Sequence, residues 1–249
     1  MGTDWRQRIR IGTSGWHYKH WQPVFYPKGL ATDDFLRHYR QYFDSVEINN
    51  SFYSLPTQET LVTWRKSVPE GFLFSVKASR YITHMKKLKD PRESVGNFLG
   101  RIRSLGNTLG PILFQLPPRW RLNLGRFEEF LTVLPQLRFA FEFRDPSWFD
   151  SHVYELLEGK NRAFCIYDLD GRLSPIETPG GFVYVRLHGP DGPYQGRYQT
   201  QALAGWAGRL SSWAREGRDV FCYFDNDQSG YAVQNARELQ SMLRESVHA

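Results

Sequence analysis

Segment after segment of this chain reads as a β-strand that is apolar on one face and polar or charged on the other. The polar positions gather near the C-terminal ends of these runs. The clearest cases are Val46-Glu47-Ile48-Asn49, Phe74-Ser75-Val76-Lys77, Phe139-Ala140-Phe141-Glu142-Phe143-Arg144, Val183-Tyr184-Val185-Arg186-Leu187-His188 and Tyr223-Phe224-Asp225. Successive strand side chains point to opposite faces. A parallel strand buried on both faces would instead be apolar throughout. Charge is costly to bury without a partner, so a core that collects charges at strand ends has the makings of a site.

Eight such runs fall at about 9–14, 45–49, 72–78, 111–116, 138–144, 163–168, 182–188 and 220–225. Amphipathic stretches lie between most of them. Thr32 is placed to cap a helix running to Tyr42. Residues 94–105 set Val95, Phe98, Leu99, Ile102 and Leu105 on one stripe, with Gly106 to stop it. Stretches at 127–134, 153–157, 203–215 and 231–243 continue the pattern. Strands alternating with helices imply parallel pairing through crossovers. The expected fold is therefore α/β, a TIM (β/α)8 barrel in a single domain over residues 1–249. A doubly wound open sheet is the alternative, but no Gly-x-Gly-x-x-Gly opens a helix and there is no phosphate loop. The Pro- and Gly-rich stretch 171–181 has no helical period, so the sixth helix is expected to be missing or irregular. Residues 189–199 form a long loop directly after a strand, on the face where barrels carry their sites.

If the apolar faces pack helices, the polar faces look into the barrel. That places Ser14, Glu47, Asn49, Ser75, Lys77, Gln115, Glu142, Arg144, Arg186, His188, Tyr223 and Asp225 inside, while Asp168 fits either register. An interior ion-pair lattice would explain one Glu–Arg pair. So many ionisable groups at strand ends fit a site better. Lys77, Arg144 and Arg186 answer Glu47, Glu142 and Asp225, whereas a metal cage prefers carboxylates and histidines without nearby cations. Only His188 among the histidines ends a strand; His17, His20 and His38 lie in or near the first loop and helix. No metal ligand is assigned, and the cofactor is left open. Arg144 and Arg186 suit phosphate or carboxylate. Glu47, Glu142 and His188 are the candidates for moving protons. The pair Glu47 and Glu142 also suits glycoside hydrolysis. A desolvated Lys77 suits a Schiff base, although pairing with a nearby Glu is its plainer role.

Aromatic residues follow the same strand ends: Trp16 and Tyr18 after the first, Phe52 and Tyr53 after the second, Trp120, Trp148, and Tyr194 with Tyr198 after later ones. Such rings stack on sugars or bases, or simply cap a barrel under its loops. Ser14 lacks a Gly-x-Ser-x-Gly elbow, which argues against a serine nucleophile. The run Lys86-Lys87-Leu88-Lys89 reads as a solvated loop with weak reach for phosphate. The ligand-binding candidates are thus Ser14, Trp16, Tyr18, Asn49, Tyr53, Lys77, Gln115, Arg144, Arg186, Tyr223 and Asp225.

Composition sets looser bounds. Lys and Arg total 32 against 26 Asp and Glu, a net charge of +6. That permits nucleic acid or phosphorylated metabolites as partners without demanding them. Cys165 and Cys222 lie in strand-like runs and read as buried thiols, not a disulfide framework or zinc site. The first residues lack an apolar signal segment and no stretch approaches transmembrane length. The expectation is a cytoplasmic protein with no membrane partner. Its expected ligand is an anionic small molecule, a phosphate-bearing sugar or nucleotide-like compound, which it would hydrolyse or isomerise. A nucleic-acid binding protein and a carbohydrate-binding or interaction protein without turnover are the alternatives.

Several motifs resemble those of the YecE-like family, a domain of unknown function. They are Ile11-Gly-Thr-Ser-Gly-Trp with Tyr18, Trp21 and Phe25-Tyr-Pro; Val46-Glu-Ile-Asn with Ser51-Phe-Tyr; Phe114-Gln-Leu-Pro-Pro; Phe141-Glu-Phe-Arg with Ser147-Trp; Val185-Arg-Leu-His-Gly; and Tyr223-Phe-Asp-Asn-Asp. The resemblance spans nearly the whole chain. It implies a TIM barrel and no particular reaction. Barrels of this shape are similar to those of apurinic endonucleases and sugar isomerases, which use several His, Asp and Glu metal ligands. The polar strand ends here are poorer in histidine and richer in Arg and Lys.

Overall fold

The computed structural model describes residues 4–245. The alternating runs become β1 (Ile9–Thr13), β2 (Ser45–Ile48), β3 (Leu73–Lys77), β4 (Leu109–Gln115), β5 (Phe139–Glu142), β6 (Ala163–Leu169), β8 (Phe182–Leu187) and β9 (Asp219–Phe224), with a two-residue β7 (Arg172–Leu173) between β6 and β8. They hydrogen-bond in the order β1-β9-β8-β6-β5-β4-β3-β2, with β7 off this path against β6. Neighbours in sequence are neighbours in the sheet, and the pairs β1–β9, β3–β4, β4–β5, β5–β6 and β8–β9 are parallel. With the helices α1 (Phe35–Tyr39), α2 (Gln58–Lys66), α3 (Pro91–Ile102), α4 (Leu124–Thr132), α5 (Ser151–Gly159), α6 (Thr200–Arg215) and α7 (Tyr231–Glu245) in the connections, this is a TIM-like (β/α)8 fold.

No α-helix joins β6 to β8 among the described residues. The chain turns back instead through Asp170 and Gly171, both at positive φ, and pairs antiparallel as Leu169↔Arg172 and Asp168↔Leu173. An Asp-Gly pair with left-handed dihedrals is what a two-residue hairpin of type I′ requires.

The chain falls into two compact units. One comprises the chain up to Val46, Ile166–Ser174 and Phe182 onward; the other comprises Glu47–Cys165 and Pro175–Gly181. In the first unit, β9 lies between β1 and β8, with Ile11↔Cys222 and Arg186↔Tyr223 in register. Helix α7 turns Ala232, Val233, Ala236, Leu239 and Leu243 inward, a stripe of 3.6-residue period. Gly12 lets two backbones meet: a Cβ there would lie 2.2 Å from the Ser45 carbonyl oxygen. Thr32 does not cap a helix to Tyr42. Residues Thr32–Asp34 form a 3-10 turn, and α1 ends at Tyr39, where the chain must begin its turn toward β2. Tyr39 then serves that turn, its hydroxyl donating to Ser45 O and accepting from Thr13 N at 2.9 Å.

In the second unit, β4 lies between β3 and β5, with Gln115 level with Glu142. Each helix start carries its own signal. Thr57 accepts from Thr60 N, Asn123 from Arg126 N and Asp150 from His152 N, and Pro91 opens α3. Val95, Phe98, Leu99 and Ile102 form the buried face of α3. A one-turn π-helix, Tyr81–Met85, follows β3. Behind it Lys87, Leu88 and Asp90 all have positive φ, held there by Leu88, which is buried.

Candidate functional site

The candidate residues divide evenly between the units. Ser14, Trp16, Tyr18, Arg186, His188, Tyr223 and Asp225 belong to the first, and Glu47, Asn49, Tyr53, Lys77, Gln115, Glu142 and Arg144 to the second. Ser14, Asn49, Arg144, His188 and Asp225 stand just past the ends of their strands.

In the first unit, three parallel strands extend their ladders by one residue: Ser14 N bonds Phe224 O, Asp225 N bonds Leu187 O and His188 N bonds Asp168 O, each at 2.8 Å. This brings Ser14, Arg186, His188 and Asp225 together, all buried. Arg186 Nη2 donates to Asp225 Oδ2 at 3.0 Å and to Ser14 Oγ at 3.1 Å. Arg186 Nη1 lies 3.2 Å from His188 Nε2. A guanidinium can only donate, so Nε2 accepts and the ring proton sits on Nδ1, 3.0 Å from Asp225 Oδ2. For His188 to act as a base through Nε2, Arg186 must first let go.

Trp16 and Tyr18 support this cluster from the loop after β1. Trp16 is buried, and its carbonyl accepts from the Tyr26 hydroxyl. The Tyr18 hydroxyl donates to Ser14 O at 2.7 Å. Tyr223 is buried and hydrogen-bonds Ser45 Oγ. Tyr194, at positive φ, lays its ring 5.7 Å from that of His188. The loop that carries it is tied down by side chains: Asn226 Nδ2 donates to Gly196 O, Gly196 N to Gln228 Oε1, and Tyr198 N to Asn235 Oδ1. Asp168 accepts from Tyr198, but burial still raises its carboxyl above the usual range.

Asp227 is the residue that sequence reasoning quoted but gave no role. Its carboxylate accepts from Trp21 Nε1 and lies 3.1 Å from His20 Nε2. Burial, with a smaller push from Asp225, raises its carboxyl to about 6. An unfolded Asp titrates near 3.9. The folded chain therefore holds the proton more tightly, and this stability is present below about pH 4 and lost as pH rises through about 6. Relative to Asp227→Asn, the native protein is expected to lose stability across that window. Urea titrations at each pH check this, and a constant difference between the two proteins would refute it.

In the second unit, Glu142 ends β5 fully buried, and Arg144 Nε and Nη2 both contact its Oε1. Cys165 Sγ lies 3.7 Å from Glu142 Oε2. Lys77 ends β3, almost fully buried, with Nζ 4.4 Å from the centroid of the Phe52 ring. His84 on the π-helix meets the same ring edge-on at 5.0 Å. Burial lowers the His84 imidazole to about 4, helped by the charges of Lys77, Arg80 and Arg144 and opposed by Glu142. The nearby cations thus act on this histidine in the same direction as its burial. Sequence reading passed over it because a π-turn has neither the 3.6 nor the 2.0 period that marks an element. Glu47 is fully buried in β2, while Gln115 and Asn49 are half-buried at strand ends. Tyr53 stands out in solvent.

Among the described residues no group of three His, Cys, Asp or Glu side chains is arranged to hold a metal ion, and no helix is long and apolar enough to cross a membrane.

Residues 10–249 match the family described as a protein of unknown function, DUF72. The UPF0759 protein YunF of Bacillus subtilis is 28% identical over 269 residues, covering 94% of each chain. The UPF0759 protein YecE of Escherichia coli K12 is 30% identical over 146 residues, 57% of this chain and 50% of its own. A crystal structure of a DUF72 family protein from Thermotoga maritima superposes with a TM-score of 0.86 at 28% identity, over 95% of this chain and 99% of that one. One from Enterococcus faecalis shares the fold at a TM-score of 0.82 and 20% identity, over 95% of both chains. The motifs, the strand order and these matches agree: the chain belongs to the DUF72 family.

Proposed function

We infer that this protein binds a phosphate-bearing small molecule, a sugar phosphate or nucleotide-like compound, at the ends of β3 and β5. Lys77 and Arg144 hold the anion. The observation that carries this reading is geometric: Lys77 and Arg144, both nearly buried, bring two cations to these strand ends, and their field reaches His84. A phosphate neutralises such a field, and the fork of Arg144 suits its oxygens. Glu142, buried against Arg144, is the group placed to move a proton in hydrolysis or isomerisation. In the first unit the donors of Arg186 are likewise taken, by Asp225, Ser14 and His188, so an anion there would compete with protein groups just as one at Arg144 competes with Glu142.

Calorimetric titration with inorganic phosphate and ribose 5-phosphate tests this. Lys77→Met removes a charge. Arg144→Lys keeps the charge but loses the fork. A lost hydrogen bond to a charged group costs about 1.5–3 kcal/mol, so each variant is expected to bind about tenfold more weakly or worse, with folding checked by circular dichroism. Absence of binding to either probe, or equal binding by all three proteins, overturns the reading. Binding confined to single-stranded oligonucleotides, falling steeply with salt, transfers it to nucleic-acid recognition.

A further inference from the structure

We propose that the ligand of this site is a mononucleotide, whose base stacks on Tyr53 while its phosphate rests on Lys77 and Arg144. The proposal rests on the anion-binding reading above and adds what the rest of the molecule must be.

The Phe52 ring is the hinge of the geometry. Lys77 Nζ sits over one face at 4.4 Å from its centroid, His84 meets it edge-on at 5.0 Å, and Tyr53 meets it at 5.0 Å with the planes at 89°. Tyr53 is therefore two ring contacts away from the ammonium group, which is about the reach from a nucleotide's phosphate to its base. Phe52 is buried, yet Tyr53 is 83% exposed. An exposed ring standing beside a cationic centre is an open stacking surface, and base stacking accepts any base because each has a π-face.

The surroundings agree. Tyr81 is 48% exposed and Met85 is 67% exposed, and both belong to the π-helix that carries His84. Of the large apolar side chains that the second unit leaves in solvent, all but Ile176 lie on the two segments that follow β2 and β3. Single exposed apolar residues need no explanation, but their confinement to the segments that hold Phe52 and His84 does. A sugar phosphate without a base would make no use of them.

Adenosine 5′-monophosphate and ribose 5-phosphate serve as probes against the full-length native protein, Tyr53→Ala and Tyr53→Phe. Stacking of one base is expected to make the nucleotide bind about five- to 150-fold tighter than the sugar phosphate to the native protein. Tyr53→Ala should abolish that advantage, Tyr53→Phe should keep it, and ribose 5-phosphate should bind all three alike. Equal affinity of the two probes for the native protein, or equal weakening of both by Tyr53→Ala, overturns the nucleotide assignment while leaving the phosphate site standing. Failure of both probes to bind removes both readings together.

Discussion

Replacing Arg186 with methionine is expected to cost about 3–5 kcal/mol of stability, the usual penalty for breaking a buried ion pair from one side. Arg186 and Asp225 lie 3.0 Å apart with no exposure of the arginine side chain. Methionine fills much of the volume but leaves Asp225 a buried carboxylate, and it strips a donor from Ser14 Oγ and from His188 Nε2. The double variant Arg186→Met with Asp225→Asn removes the orphaned charge and should recover part of the loss. Urea unfolding monitored by tryptophan fluorescence measures both. A loss below about 1 kcal/mol, the range of an exposed pair, would show that the cluster is solvated and does not act as a packed ionic core.

Gly12→Ala is expected to be comparably damaging for a different reason. The added methyl would meet the Ser45 carbonyl oxygen at 2.2 Å and its carbon at 3.1 Å. Both are backbone atoms and cannot swing aside. Relief requires β1 to move, which disturbs its register with β9 and the bond from Thr13 N to the Tyr39 hydroxyl. Overpacking of this kind costs on the order of 3 kcal/mol. Gly208→Ala is the control: it lies inside α6 with nothing within 4 Å of the new Cβ. That change should stabilise by about 0.5–1 kcal/mol, because glycine is a poor helix residue. If both substitutions shift the melting temperature in the same direction, the close approach at Gly12 is not what sets its identity.

The strands were the most legible part of this sequence. A period of two and an apolar face are local properties, and the expected run at 182–188 differs from the observed Phe182–Leu187 by one residue. The missing helix before β8 was legible for the same reason, since a stretch with no period cannot hide a helical stripe. The hairpin that replaces it was signalled by Asp170-Gly171 but needed β6 beside it to become a strand. Thr32 shows the opposite limit. It has the chemistry of a cap, but it lies inside the 3-10 turn Thr32–Asp34 instead of before a helix. The candidate residues were found by type and position along each strand. Their grouping was not, because pairing Arg186 with Ser14, 172 positions away, depends on the order of strands and not on any local pattern. His84 and Asp227 became visible only when burial and neighbouring charge could be assigned to them.

The triangle of Arg186, His188 and Asp225 has a direction. Arg186 donates to His188 Nε2 and also directly to Asp225 Oδ2, while His188 Nδ1 lies 3.0 Å from that same oxygen, so both arms run from the guanidinium to the carboxylate. Such an arrangement has one source and one sink. Turning the ring over would put C–H groups where both nitrogens now stand, losing the acceptor for the guanidinium and the polar group facing the carboxylate, so this ring orientation is the favoured one. His188 therefore braces from the side an ion pair that already touches, the way a strut steadies a joint.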